Sequence, residues 1–522
     1  MKNRLFLGAG ALLTATGCTS ASEVQKIETP NIVIIYADDM GYGDMSCQNP
    51  NSKIQTPNLD ALASQGMRFT DGHSSSGVSS PSRYAMLTGN YHWRRMNDIV
   101  GAFGESEFKE GELTMPGMLR EAGYKTAMVG KWHLGWDWNS VLTDEARQRI
   151  AKEGLPKQDS KSKKSKYRLD DFDWSQHFRG GPIDNGFDTY FGDGTVNFPP
   201  YCWIENDMAV TVPTFMVSEL NHKPLEGGGT LREGPAAIDW KADDVLPNIA
   251  KRSIQIIEEQ DGTQPFFLYC ALSAPHAPII PSDEFHGKSD AGYYGDFVVQ
   301  CDDIVGKVLA ALKEKGLDKN TIVIFSADNG PEYYAYERIE QFDHNSTESL
   351  RGVKRDLWDG GHRIPFIVKW PDNIEAGAVS DELVSQVDLM ATFAGMVGYS
   401  LPNDSATDSY DIMPILKGEE HPTPLREAMV HNTRKDFYAL REGDWVMVAN
   451  YTGSHTPVPD AYLDEYEYTE LAQGDADALL YNIKNDQSQH NNVAVDHPEL
   501  VGEMRQLLNK YIESGRSIPQ RK

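Results

Sequence analysis

Four short runs of this chain fix most of what it can become. "NIVIIYADD" ends at Asp38 and Asp39, and "KTAMVGKWHLG" carries Lys131 and His133 at its end. "PFFLYCALSAPHAP" leads to His276, and "TIVIFSADNG" ends at Asp328 and Asn329. Each run is apolar without alternation, the pattern of a strand buried on both faces, as in a parallel sheet. Helical stretches lie between them. Thr56-Pro57 to Gly66 has a cap, a first-turn proline and a closing glycine. Asp302 to Gly316 places Ile304, Val305, Val308, Leu309 and Leu312 at the helical period. Strands alternating with helices predict an α/β fold, a largely parallel sheet sandwiched by helices. In such sheets chemistry gathers at the carboxyl ends of the strands, where each run delivers its charged or imidazole groups.

A chain of 522 residues can bury one large core and a smaller one, so two domains are expected. The character changes near Pro422–Pro424. "FYALREGDWVMVANY" and "LLYNIKNDQSQ" read as short antiparallel strands, and Pro498 to Ser514 as a terminal helix. The predicted boundaries are 28–422 for the main domain and 423–522 for a smaller α+β domain. Lys157 to Arg168, "KQDSKSKKSKYR", reads as an exposed basic insertion. The formal net charge of −28 argues against nucleic acid as a partner. An anionic substrate would need a local positive pocket.

Residues 1–21 read as an export signal. Lys2 and Arg4 precede an apolar run, Leu5 to Leu13, that is too short to span a bilayer. Thr16-Gly17-Cys18 resembles a bacterial lipoprotein cleavage box, with Ala15 where that box usually has leucine. The alternative is ordinary cleavage after Thr19-Ser20-Ala21. Either route predicts an exported protein, periplasmic or anchored at the outer membrane through lipidated Cys18. Cys47, Cys202, Cys270 and Cys301 show no C-x-x-C spacing and so no zinc site. Their even number leaves disulfides open in an exported protein, although Cys270 lies in an apolar run and reads as a core thiol.

"SSGVSSPSRYAMLTGNY", from Ser75 to Tyr91, has its own local logic. Pro81 suits the first turn of a helix, Ser79 or Ser80 the cap before it, and Gly89 the end. A helix N-terminus offers free N–H groups and partial positive charge to an anion, and Arg83 can add a charge-assisted bond.

Ser79-Ser80-Pro81-Ser82-Arg83, continuing to Leu87-Thr88-Gly89, resembles the sulfatase motif C/S-x-P-S-R followed by L-T-G. "ADDMGYGD" resembles the family's first metal motif, and "GKWHLG", "APHAP", "SADNG", "LRGVKRDLWDGGHRIPFIVKWP" and "LLYNIKNDQSQHNNVA" resemble its later segments, in order and over nearly the whole chain. Asp359 stands where glutamate is usual before the paired glycines. The resemblance implies an alkaline-phosphatase-like fold and a serine-type member of the formylglycine-dependent family. Ser79 would be oxidised to an aldehyde by a serine-accepting maturation enzyme. Asp38, Asp39, Asp328 and Asn329 would hold one calcium ion together with the modified Ser79, an oxygen set suited to a hard cation.

The implied chemistry uses the hydrated aldehyde twice: one hydroxyl attacks sulfur, and the other then expels sulfate. By resemblance His133 is the base of that second step, Lys131 holds the hydrate, and His276 protonates the departing alcohol. Arg83 and Lys354 pair with sulfate oxygens. Two other readings stand beside this one: a phosphoester or phosphonate hydrolase of the same fold, and a non-catalytic protein that binds sulfated glycan. The context of Gly194–Asp207 resembles bacterial sulfatases acting on glycans, including galacto-configured sugars. Phe198, Tyr201, Trp203 and Trp93 either stack on sugar faces or belong to the core.

Overall fold

The computed structural model describes residues 29–155, 164–217, 224–228, 231–460, 462 and 477–521. The predicted export signal with Cys18, and residues 157–163 of the basic stretch, lie outside the described residues.

A ten-stranded sheet forms the centre. Its strands run in the order Ala378–Ser380, Met67–Phe69, Phe366–Lys369, Thr321–Ala327, Asn31–Ala37, Phe266–Ala271, Lys125–Lys131, Thr189–Gly194, Ile204–Glu205 and Met208–Ala209. The four apolar runs are thus four adjacent strands, paired in parallel. Almost every residue in them is buried, which is why their sequences do not alternate. Register then fixes the site. Ala37 pairs with Ala327, Tyr36 with Ala271, and Ala271 with Gly130. The four strands therefore finish level, and Asp38, Asp328 and Lys131 emerge side by side.

Two groups of mutually packed helices cover the sheet. Pro57–Ser64, Ala242–Glu258 and Gly292–Glu314 form one; Ser79–Thr88, Met115–Glu121 and Leu389–Val397 form the other. The helix expected from Asp302 begins ten residues earlier, at Gly292. Asp302 lies within it. Its buried carboxylate accepts from the backbone N–H groups of Asn58 (3.2 Å) and Leu59 (2.8 Å), and so caps the neighbouring helix instead.

The smaller C-terminal unit is a four-stranded antiparallel sheet, Met429–Arg434, Phe437–Glu442, Trp445–Val448 and Leu479–Asn482, with the helix Pro498–Ser514 against it. Met504, Leu508 and Tyr511 of that helix join the core formed with Val430, Leu440 and Met447. Cys47, Cys202, Cys270 and Cys301 are free thiols, and Cys270 accepts a contact from Ser253 Oγ deep in the core. Among the described residues no helix is long and apolar enough to cross a membrane. Tyr201, Trp203 and Trp93 are core residues, whereas Phe198 reaches a cleft.

Candidate active site

The helix Ser79–Thr88 is buried along its whole length and closes at Gly89, whose φ of 67° lies in the left-handed region glycine favours. The serine cap expected at its start is not formed. Val78 occupies the cap position with no side-chain bond, and Ser79 is already helical. Both hydroxyls are used elsewhere. Ser80 Oγ accepts from the N–H of Val100 at 3.0 Å. Ser79 Oγ points at the strand ends, 3.2 Å from Asp38 Oδ1 and 3.4 Å from Asn329 Oδ1.

Around that hydroxyl the sheet assembles three buried carboxylates and three buried cations. Lys131 Nζ lies 2.5 Å from Asp38 Oδ2 and 3.5 Å from Ser79 Oγ. Arg83 donates to Asp328 Oδ2 through Nε (3.2 Å) and a terminal nitrogen (2.8 Å), and lies 3.6 Å from Asp38. Lys354 Nζ lies 2.6 Å from the Asp39 carboxylate. Asp39 and Asp328 are 289 positions apart in sequence, yet the Asp39 N–H donates to Asp328 Oδ1 at 3.1 Å.

The electrostatics follow from this crowding. Burial, then the neighbouring Asp328 charge, pushes the Asp38 carboxyl up to about 7. Burial opposes ionisation of Asp328 too, but Arg83 and Lys131 hold it well below the usual carboxylate range. Burial lowers Lys131, and Asp38 works against that shift. Lys354 is raised despite its burial, because Asp39 and Glu332 lie close.

The two histidines differ in geometry. His133 donates Nε2–H to the carbonyl of Val100 at 3.0 Å, which leaves Nδ1 as a buried lone pair without a partner among the described residues. Burial, then Lys131 and Arg83, keeps it far below its ordinary value, so it is neutral. His276 donates Nδ1–H to the carbonyl of Ala277 at 2.5 Å, and its Nε2 lies 3.7 Å from Asp39. Burial pushes it down to about 3. Backbone strain collects here as well: Asp39, His133 and Arg355 have φ of 62°, 53° and 79°.

The donor set suits a hard cation. Asn329 donates Nδ2–H to Asp39 Oδ1 and to the carbonyl of Gly330, both at 2.8 Å, and this turns its amide oxygen toward Ser79. Asp38, Asp39, Asp328 and Asn329 then offer only oxygen. His276 also approaches Asp38 and Asp39, with ligand atoms within 4.8 Å of one another. Close backbone packing supports the turn. Gly330 donates its N–H to the carbonyl of Gly361 at 2.9 Å, and a Cβ at Gly330 would meet Gly360 O at 1.9 Å. The departure at Asp359 lies off the site, in an ion pair with Arg363 at 3.0 Å.

The candidate catalytic and metal-holding residues thus converge: Ser79, His133, His276 and Lys354 line one cleft of about 400 Å³, with Asp38, Asp39, Arg83, Lys131, Asp328 and Asn329 beneath. Sequence reasoning missed several cleft residues. Glu332, three positions beyond Asn329, holds Arg355 by two contacts of 2.5 and 2.8 Å. Arg232 and Tyr334 come from segments without a motif, and Asn197 from the Gly194–Asp207 stretch, where only the aromatics stood out. Thr433, Arg434 and His455 come from the C-terminal unit, which forms one wall. That unit also pins the lysine loop: Thr456 Oγ1 donates to the carbonyl of Lys354 at 3.0 Å.

Residues 30–399 match the sulfatase family model, and 353–514 match that of the N-sulphoglucosamine sulphohydrolase C-terminal region. An N-acetylgalactosamine-6-O-sulfatase of Bacteroides thetaiotaomicron is 32% identical over 553 aligned positions, covering 97% of this chain and 99% of that protein. The N-acetylgalactosamine-6-sulfatase of Mus musculus is 31% identical over 430, covering 79% and 71%. A solved sulfatase from work on glycosaminoglycan metabolism by Bacteroides thetaiotaomicron superposes with a TM-score of 0.74 at 31% identity, covering 92% of this chain and 99% of that one. Motif order, strand-end geometry and full-length similarity agree, and the chain belongs to the sulfatase family as a sulfuric ester hydrolase.

Proposed function

We propose that this hydrolase, which removes sulfate from sulfated carbohydrate, acts on a 6-sulfated N-acetylgalactosamine or a similar galacto-configured sugar derived from a polysaccharide. The relatives' names support the sugar. The observation that carries the catalytic reading is the position of Ser79 Oγ, between Asp38, Asn329 and Lys131 at the first turn of a buried helix. Serine there is a poor nucleophile unaided. Its oxidation to formylglycine by a serine-accepting maturation enzyme would supply a hydrated aldehyde as nucleophile. Asp38, Asp39, Asp328 and Asn329 would hold one calcium ion, which neutralises sulfate charge and raises the electrophilicity of sulfur.

The chain's own groups do the rest. Lys131 and Arg83 fix the floor of the site and keep Asp38 and Asp328 in place. Lys354 presents a cation to the sulfate oxygens from the Asp39 side. His133 is neutral at physiological pH, with Nδ1 free to take a proton. His276 offers Nε2 to the leaving oxygen. The Ala277 carbonyl fixes a proton on Nδ1, so Nε2 delivers a proton only from the imidazolium. An arriving sulfate anion adds the negative charge that favours this form. The all-oxygen donor set favours sulfate ester over the phosphoester reading, which would need a zinc pair.

We place the protein outside the cytoplasm, periplasmic or tethered through Cys18, on the strength of its N-terminal sequence. Expression in a host that oxidises only cysteine tests the catalytic reading. Wild type should stay inert there, Ser79→Cys should hydrolyse the sulfated sugar, and Ser79→Ala should be inactive in every host. Turnover by Ser79→Ala would sink the assignment.

A further inference from the structure

The cleft holds more positive charge than one sulfate requires. Besides Lys354, it is lined by Arg232, Arg355 and Arg434. Arg355 is spoken for by the Glu332 carboxylate, at 2.5 and 2.8 Å. The other two are held differently. The Arg232 guanidinium carbon lies 4.3 Å from the centre of the Phe198 ring, and that of Arg434 lies 4.4 Å from the centre of the Phe437 ring. Among the described residues neither guanidinium has an ion pair or a hydrogen-bond acceptor. An arginine fixed by an aromatic face keeps its forked donors free and oriented, the arrangement that suits a planar carboxylate or a sulfate.

The acidic residues of the cleft wall do not balance this charge. Glu332 is matched by Arg355 and by Lys354 at 3.8 Å, which leaves one lining carboxylate, Asp98, for two guanidiniums. Burial pushes Arg232 below its ordinary value, with Tyr201 working against that shift. In a chain of net charge −28, two unmatched arginines in one cleft make a local positive field aimed at an anion.

We propose that Arg232 and Arg434 bind a second anionic group, a carboxylate or a further sulfate ester, on the sugar adjoining the one that loses sulfate. The proposal rests on the sulfatase reading of the cleft and names the wider substrate: a polyanionic oligosaccharide. The two arginines come from different parts of the chain, one just before the short strand Gly234–Ala236 and one at the end of the strand Met429–Arg434, so the subsite exists only when the C-terminal unit is docked.

Arg232→Gln and Arg434→Gln, with Arg232→Lys as a charge-conserving control, test this on four substrates. These are the sulfated monosaccharide, a disaccharide placing a uronate beside it, the same disaccharide with its carboxyl reduced, and the reduced form bearing a second sulfate. Wild type should favour one or both charged disaccharides over the reduced one by about tenfold or more in kcat/KM, the scale of a charge-assisted bond. Each Gln variant should lose most of that preference, with a far smaller change on the monosaccharide, and Arg232→Lys should keep part of it. Loss confined to the uronate or to the second sulfate identifies the anion. Calorimetric binding of the disaccharides to Ser79→Ala protein should show the same preference without turnover. Equal binding of charged and reduced disaccharides would overturn the proposal, whereas charge-selective binding with no turnover by mature wild-type enzyme would overturn the catalytic reading instead.

Discussion

Arg83→Met probes the buried charge network directly. The guanidinium is fully buried, bonds Asp328 at 2.8 and 3.2 Å, and lies 3.6 Å from Asp38. Methionine keeps much of the side chain's length, so the loss is electrostatic: Asp328 remains buried without its strongest counter-charge. Removing one partner of a buried pair costs about 3–5 kcal/mol. An unfolding entropy of about 2.1 cal/mol/K per residue amounts to roughly 1 kcal/mol/K for a chain of this length, so Tm should fall by about 3–5 °C. Calcium should return part of that loss by placing positive charge on the same carboxylate. Scanning calorimetry of chelator-treated and calcium-loaded protein measures both values. An unchanged Tm for calcium-free Arg83→Met would refute the reasoning, because Asp328 would then carry no buried, unpaired charge.

His276→Ala should reduce turnover of a sulfated sugar by about 100-fold or more, the scale of general acid catalysis, and that of an activated aryl sulfate far less, since a phenolate leaves without protonation; equal losses on both would remove His276 from the acid role. Gly330→Ala should abolish activity and weaken calcium binding, because the added Cβ meets the Gly360 carbonyl at 1.9 Å; wild-type calcium affinity by calorimetry would contradict it. Burial pushes His92 down to about 4, so the unfolded chain, protonating near 6.5, takes up its proton first. Its contribution to stability is therefore complete above about pH 6.5 and lost as pH falls toward 4. Wild-type Tm should drop more steeply over that range than that of His92→Gln, and parallel curves would show that His92 is not buried neutral.

The residues that react were legible because parallel strands buried on both faces are uniformly apolar, and their polar ends stand out. Asp38, Lys131, His276 and Asp328 were found that way, and level register explains why they meet. The strand Met429–Arg434 is not visible in the sequence, because its last four residues, "HNTR", are polar. Inside the fold two of those groups are buried and engaged: His431 stacks on His362 at 3.7 Å, and Asn432 Nδ2 donates to the carbonyl of Phe437 at 3.0 Å. The serine cap does not form for a related reason. Ser79 and Ser80 have the right chemistry for a cap, and only tertiary partners divert them. Arg232 and Arg434 left no local trace, since their role depends on a cleft closed by segments some two hundred positions apart.

Mass spectrometry of the peptide containing Ser79, taken from enzyme of measured activity, addresses the central claim most directly. Active protein made alongside serine-accepting maturation machinery should carry formylglycine at Ser79, lighter than serine by two hydrogen atoms, in proportion to its specific activity. Full turnover by a preparation in which that residue is only unmodified serine would contradict the account.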